Sequence, residues 1–175
     1  MLDYFAPSNW ATLSRTDRDL GSVGPVLLDN GLVFVVGKEG VGYLLNAGQL
    51  GHIGGQAFAA AVCNGSGAFG AAAYAAPFLY VPCTNGLTAL RVGSGPAFTV
   101  AWRGPSVRAG APIVAGGVVW SMDRGGTLYG FDPTSGNVRA QLPIGAFSTS
   151  FPSLAAAGGR LFVPAGQRLI AFGAP

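Results

Sequence analysis

Charge is scarce in this chain of 175 residues: Asp, Glu, Lys and Arg together make up only 10% of it. No charged residue lies between Gly40 and Leu90, and no acidic residue follows Glu39 until Asp123. Histidine occurs once, at His52, and cysteine twice, at Cys63 and Cys83. These shortages exclude several activities. A zinc site gathers several His, Cys or carboxylate ligands, and His52 and Cys63 have no partners at ligand spacing. A Ser-His-Asp triad would have to use the same histidine, yet no G-x-S-x-G elbow is present; His52 reads as a loop residue. The Lys and Arg residues are scattered singly from Arg15 to Arg168, with nothing denser than Arg103 and Arg108. A net charge of +3 without a clustered basic face does not suit nucleic acid, and these arginines read as solvated loop residues.

Long uninterrupted apolar runs are missing as well. Mean hydropathy is high at +0.44, but Gly, Asn and Pro break every window short of the roughly 18 apolar residues a spanning helix needs. No membrane span is expected. The opening MLDYFAPSNW has neither a basic n-region nor an apolar h-region, so this chain shows no signal peptide.

What is abundant is glycine, with 29 residues, beside 12 prolines and a 50% hydrophobic content. Gly and Pro disfavour helix interiors by roughly 1 and 3 kcal/mol, so the composition points to short strands joined by tight turns, in one domain. Gly110 to Leu142 displays the unit. Ala111–Ala115, Val118–Ser121, Thr127–Asp132 and Asn137–Leu142 are strand-sized runs separated by Gly116-Gly117, Arg124-Gly125-Gly126 and Asp132–Gly136. That is one antiparallel meander.

The meander recurs. Residues 1–22 are irregular, and 23–175 divide into units at about 23–54, 70–102, 110–142 and 148–173. Asn30-Gly31, a tight-turn dipeptide favoured where φ is positive at both central residues, turns the first unit, which closes on Val41–Asn46, and residues 47–64 read as a long connection. Asn85-Gly86 turns the second unit. The fourth opens on Phe151–Ala155 and turns at Gly158-Gly159 and Gly166-Gln167. Phe34, Tyr80, Trp120 and Phe162 close the second strands at intervals of 40 to 46 residues. Leu45, Leu90, Phe131 and Phe172 end the third strands, and Ala89, Gly130 and Ala171 precede the last three of these. Pro25, Pro112 and Pro152 open first strands. Four short strands every 40 to 45 residues is the period of a β-propeller blade. The predicted fold is all-β, a propeller of about four blades. A β-sandwich with even strand spacing is the alternative.

Gly117-Val118-Val119-Trp120, Gly126-Thr127-Leu128-Tyr129-Gly130-Phe131-Asp132 and Thr134-Ser135-Gly136 resemble the repeat of pyrroloquinoline-quinone-like (PQQ-like) propellers. That superfamily includes quinoprotein alcohol dehydrogenases and the propeller lipoprotein that helps assemble outer-membrane β-barrels. The resemblance covers about residues 19–173 and departs at the end of the repeat, where the family carries a Trp docked between blades. Only Trp102 sits comparably. Closed rings of this family have more blades, which implies a partial ring or half propeller, completed by further blades or by a second copy of the chain. Such a chain is expected to self-associate; a closed four-bladed disc is the alternative.

The resemblance also implies a site. In quinoprotein dehydrogenases a basic residue opening a Lys-x-Gly-x-x-Tyr-like segment reaches the quinone oxygens, and Lys38-Glu39-Gly40-Val41-Gly42-Tyr43 is similar. Lys38 is thus a candidate PQQ ligand; its other reading is a turn lysine paired with Glu39 or Asp29. The family's calcium-binding set, adjacent-cysteine pair and base are not visible, and no catalytic residue is assigned. Cys63 and Cys83 are a candidate disulfide, the alternative being two buried thiols. Gly65–Gly70 matches G-x-G-x-x-G, but Pro77 cuts short any helix after it, so it reads as a loop. Asp17-x-Asp19-x-Gly21 lacks the further ligands of a calcium loop. The expectation is a non-catalytic, extracytoplasmic module that binds a protein or small molecule. The C-terminal part of a PQQ-dependent dehydrogenase is the alternative.

Overall fold

The computed structural model describes residues 2–146 and 153–173. Its core is four antiparallel sheets, each built from consecutive strands. Blade 1 comprises β1 (Val26–Leu27), β2 (Leu32–Val36), β3 (Val41–Asn46) and β4 (Phe58–Ala61). Blade 2 comprises β5 (Ala73–Ala75), β6 (Phe78–Cys83), β7 (Gly86–Val92) and β8 (Phe98–Arg103). Blade 3 comprises β9 (Ile113–Ala115), β10 (Val118–Met122), β11 (Thr127–Phe131) and β12 (Val138–Pro143). Among the described residues blade 4 comprises three strands, β13 (Ala155–Ala157), β14 (Arg160–Ala165) and β15 (Arg168–Gly173). The expected opening of the fourth unit at Phe151 and Pro152 lies outside the described residues.

Two local expectations change. The stretch 47–64 is not all connection, because β4 pairs with β3 and completes blade 1. Phe58-Ala59-Ala60-Ala61 escapes notice because alanine is a poor strand former; the Phe58 ring, edge-on to Phe98 of blade 2 at 5.0 Å, helps fix it. The Asn30-Gly31 turn has positive φ at Gly31 only. The chain reverses through a bond from Gly31 N–H to the Leu28 carbonyl and so does not need the left-handed conformation at Asn30. By contrast Gly116-Gly117 and Gly158-Gly159 have positive φ at both residues, which suits the two-residue hairpins they close.

Strand register explains the small residues near the ends of the third strands. Tyr80 pairs with Ala89, Trp120 with Gly130 and Phe162 with Ala171. Directly opposed side chains share one face, so a large ring on the second strand leaves room only for a small neighbour. A Cβ on Gly130 would lie 2.8 Å from Cζ3 of Trp120. In blade 1 the same space is kept one step diagonally, where Phe34 covers Gly42.

Successive sheets bury the faces they turn toward one another. Phe34, Val36, Leu44, Leu79, Leu90 and Phe98 join blades 1 and 2 in one buried cluster. Tyr80, Leu87, Trp102, Val119 and Phe131 join blades 2 and 3. Trp120, Met122, Leu128, Leu161 and Val163 join blades 3 and 4. Burying strands on both faces is why they read as near-continuous apolar runs. At the start of the arc the segment before β1, including the short helix α1 (Trp10–Arg15), lies against blade 1. Phe5 packs on Tyr43, Leu13 is buried, and Phe5–Ala6 pairs in parallel with His52–Ile53.

Candidate functional site

Polar side chains concentrate at two places, and both arise from loops that the blades bring together. The first is the junction between the N-terminal segment and the β2–β3 loop. Gly37 abuts the backbone of Asp19 and Leu20 so closely that a Cβ there would lie 2.4 Å from the Asp19 carbonyl oxygen. Lys38 N–H donates to that carbonyl at 3.0 Å. The Lys38 ammonium then donates to Asp17 Oδ1 and Asp19 Oδ2, both at 2.7 Å. These bonds raise the lysine pKa and lower that of Asp19. The partners are therefore not Glu39 or Asp29. Glu39 accepts from Asn9 Nδ2 at 2.9 Å and from the Tyr43 hydroxyl at 3.2 Å, while Asp29 accepts from the Tyr74 hydroxyl at 3.4 Å. Burial, reinforced by the Glu39 charge, pushes Tyr43 up to about 12. Sequence spacing pointed to nearby acids; the folded N-terminal segment supplies distant ones.

The acidic pair Asp17 and Asp19 thus serves a lysine. His52 sits at the far end of the same segment, stacked on Tyr4 with ring centroids 4.9 Å apart and with Nε2 3.2 Å from Asp3 Oδ1. Asp3 also accepts from the backbone N–H groups of Leu50 and Tyr4, which lower its pKa more than the histidine does. Among the described residues no three His, Cys, Asp or Glu side chains are grouped to hold a metal. Gly65–Gly70 leads into strands, with no helix after it.

The second concentration is the seam between blades 2 and 3. The Tyr80 hydroxyl and Trp102 Nε1 both donate to the Pro133 carbonyl, at 3.2 and 3.0 Å. Asp132 accepts from the N–H groups of Ser135 at 2.7 Å and Thr134 at 2.9 Å, and it pairs with Arg139. The Ser135 N–H is foremost in lowering its pKa to about 2. Burial, and then the Asp132 charge, raise Tyr80 to about 12.

Cys63 and Cys83 are joined in a disulfide, with Cα atoms 5.4 Å apart. The bond ties the exit of blade 1 to the end of β6. Beside it the Arg103 guanidinium donates to the Val62 carbonyl at 2.7 Å and to Thr88 Oγ1 at 2.9 Å. Arg108 lies over the Phe69 ring at 5.4 Å. Reading these arginines as solvated loop residues missed their work as ties between neighbouring segments. A lone arginine carries no periodic signal that would have revealed it.

No protein-family model matches the sequence, and no curated protein matches it significantly. Solved structures do. The computationally designed Ika4 protein superposes with a TM-score of 0.67 at 12% identity, over 88% of this chain and 91% of that one. The designed Ika8 protein gives 0.65 at 13% identity, over 87% of this chain and 45% of that one. Sqt1 of Saccharomyces cerevisiae gives 0.67 at 12% identity, also over 87% and 45%. Likeness at these identities speaks for fold alone: the chain is an all-β propeller of about four blades. It spans nearly the whole of Ika4 but less than half of Ika8 and of Sqt1.

Proposed function

We propose that this propeller chain is a non-catalytic, extracytoplasmic binding or scaffold module of the PQQ-like type, acting as part of a larger ring. The observation that carries this reading is the state of Lys38. A cation stabilises a reduced quinone by donating to its oxygens, and here the Lys38 ammonium already donates to two carboxylates at 2.7 Å. The segment that resembles a cofactor site instead fastens the N-terminal segment to blade 1, with Glu39 and Tyr43 engaged in the same junction.

The Cys63–Cys83 disulfide supports an oxidising compartment. The loops between strands then offer the surface for a protein or small-molecule ligand. The span of only 45% of Ika8 and of Sqt1 supports membership in a longer assembly.

The test is to titrate the purified chain with pyrroloquinoline quinone, following absorbance and tryptophan fluorescence, and to assay dye-linked alcohol oxidation. No binding and no turnover are expected. A tightly held chromophore with activity that Lys38→Ala abolishes would establish the dehydrogenase reading instead. Thiol mapping of protein taken from its native cells should find Cys63 and Cys83 oxidised; free thiols there would remove the extracytoplasmic part.

A further inference from the structure

Three Asn-Gly dipeptides occur in the chain: Asn30-Gly31, Asn64-Gly65 and Asn85-Gly86. The pair has a chemistry of its own. The glycine nitrogen can attack the carbonyl carbon of the preceding side chain, because no Cβ on the glycine hinders the approach. In a folded protein the outcome depends on how firmly the two reacting groups are held.

At Asn85-Gly86 both are held. Asn85 Nδ2 donates to the Cys63 carbonyl at 2.9 Å, and Gly86 pairs with Cys83 in the β6–β7 ladder. The backbone there is enclosed as well, since a Cβ on Gly86 would lie 2.7 Å from the Pro105 carbonyl oxygen. At Asn30-Gly31 the attacking nitrogen is engaged, its N–H donating to the Leu28 carbonyl at 3.2 Å.

Asn64-Gly65 differs from both. It forms the tip of a turn that Ser66 N–H closes on the Cys63 carbonyl at 3.1 Å. Both residues are exposed. Neither the Asn64 carboxamide nor the Gly65 N–H has a hydrogen-bond partner among the described residues. A Cβ on Gly65 would meet nothing within 4 Å, so this peptide has room to rotate. Asn64 has φ +47°, a conformation that costs an L-residue energy, so backbone preference does not oppose the rotation that attack requires.

We propose that the fold leaves Asn64, alone of the three, as a site of spontaneous modification in which its carboxamide becomes a carboxylate. Gly65 N bonds to Asn64 Cγ, and Nδ2 leaves as ammonia with the proton that Gly65 N gives up, closing a succinimide. Water then adds to one of the two ring carbonyl carbons and the C–N bond there breaks. Addition at Cγ yields aspartate at position 64. Addition at the main-chain carbonyl carbon yields isoaspartate, which routes the backbone through Cγ and lengthens it by one atom. No oxidant, metal or second protein is needed.

The position gives the change a consequence. No charged residue lies between Gly40 and Leu90, so the new carboxylate is the first charge on that stretch, and it adjoins Cys63 of the disulfide. The far side of the turn is tied to both neighbouring blades. Thr84 N–H donates to the Gly67 carbonyl at 2.9 Å, and a Cβ on Gly67 would lie 2.7 Å from the Lys38 carbonyl oxygen. Lengthening the backbone at position 64 therefore strains the contact between the β2–β3 loop and blade 2.

The test is to incubate the purified chain at mildly alkaline pH and follow each asparagine by tandem mass spectrometry, with isoaspartyl methyltransferase labelling to identify the lengthened product. In the native chain Asn64 should convert about tenfold faster than Asn85, and faster than Asn30, because only its reacting groups are free. In concentrated urea, where the fold holds none of the three, the rates should converge. Asn64→Gln should remove the early acidic species on ion exchange while circular dichroism reports an unchanged fold. Native conversion led by Asn30 or Asn85 would overturn the proposal. So would an Asn64 that stays intact over the time in which the unfolded chain converts. An order of rates in urea identical to the native one would trace the selectivity to local sequence and overturn it too.

Discussion

The Trp102 ring lies against the backbone of Gly136, so close that a Cβ there would sit 2.5 Å from Cδ2 of the indole. One residue belongs to the outer strand of blade 2 and the other to the Thr-Ser-Gly turn of blade 3. Gly136 also has φ +74°, a conformation that costs an L-residue roughly 1–2 kcal/mol. Gly136→Ala should therefore destabilise the protein by about 2–4 kcal/mol once crowding is added. Urea denaturation checks this through a lower midpoint at unchanged slope, and a midpoint like that of the parent would contradict it.

Trp102 and Tyr80 share the Pro133 carbonyl. Tyr80→Phe removes one hydrogen bond and leaves its acceptor served by the indole, so a loss of about 1 kcal/mol is expected. Trp102→Ala empties the wedge between the blades and should cost about 3–5 kcal/mol. Near-ultraviolet circular dichroism should register the second change strongly and the first weakly; equal effects would argue against the shared acceptor.

Alkaline stability should depend on the buried phenols. Tyr43 and Tyr80 are raised to about 12 in the folded state, above the value of about 10 for a free phenol. Between those values the unfolded chain has lost protons that the native chain retains, so their contribution is complete below about pH 10 and fades as pH rises to about 12. Titration followed at the phenolate absorbance should show Tyr43 and Tyr80 ionising late, with Tyr74 also delayed by burial and by Asp29. Their ionising together with the exposed ones would refute the assignment.

The acid limb has its own reporter. Asp132 is lowered to about 2 from about 3.9 in an unfolded chain. Its contribution is present above the unfolded value and is lost as pH falls through the folded one. Asp132→Asn should flatten the stability profile between about pH 4 and pH 2 and, by removing the charge that reinforces the rise of Tyr80, reduce that tyrosine's share of the alkaline limb without abolishing it. A profile parallel to that of the parent would mean that Asp132 does not carry this dependence.

Removing the disulfide closes the series. A bridge across 20 residues contributes about 3 kcal/mol in the chain-entropy treatment, and both sulfurs belong to fully buried residues. The double variant Cys63→Ala, Cys83→Ala should unfold at lower urea by that margin. The native protein should resist reduction until it opens, so rapid loss of the disulfide in mild reductant would count against the buried placement.

Blades were legible because a sheet buried on both faces demands apolar strands at fixed intervals with glycine between them. Trp120 with Gly130 shows the rule operating inside one hairpin. The β4 strand was not legible: Ala59, Ala60 and Ala61 contribute little strand preference, and Phe58 reveals its role only when Phe98 of the next blade is in place. Lys38 was legible as a charged turn residue, but its partners were not, since Asp17 and Asp19 come from a segment outside the repeat.

By itself the sequence determined the period, the turns and the all-β class, because these follow from local backbone preference and from which residues must leave water. Tertiary structure alone decided who pairs with whom: Lys38 with Asp17 and Asp19, Arg103 with Val62 and Thr88, and Trp102 over Gly136. Such pairings depend on how one blade is set against the next, and no local preference of either partner encodes that placement.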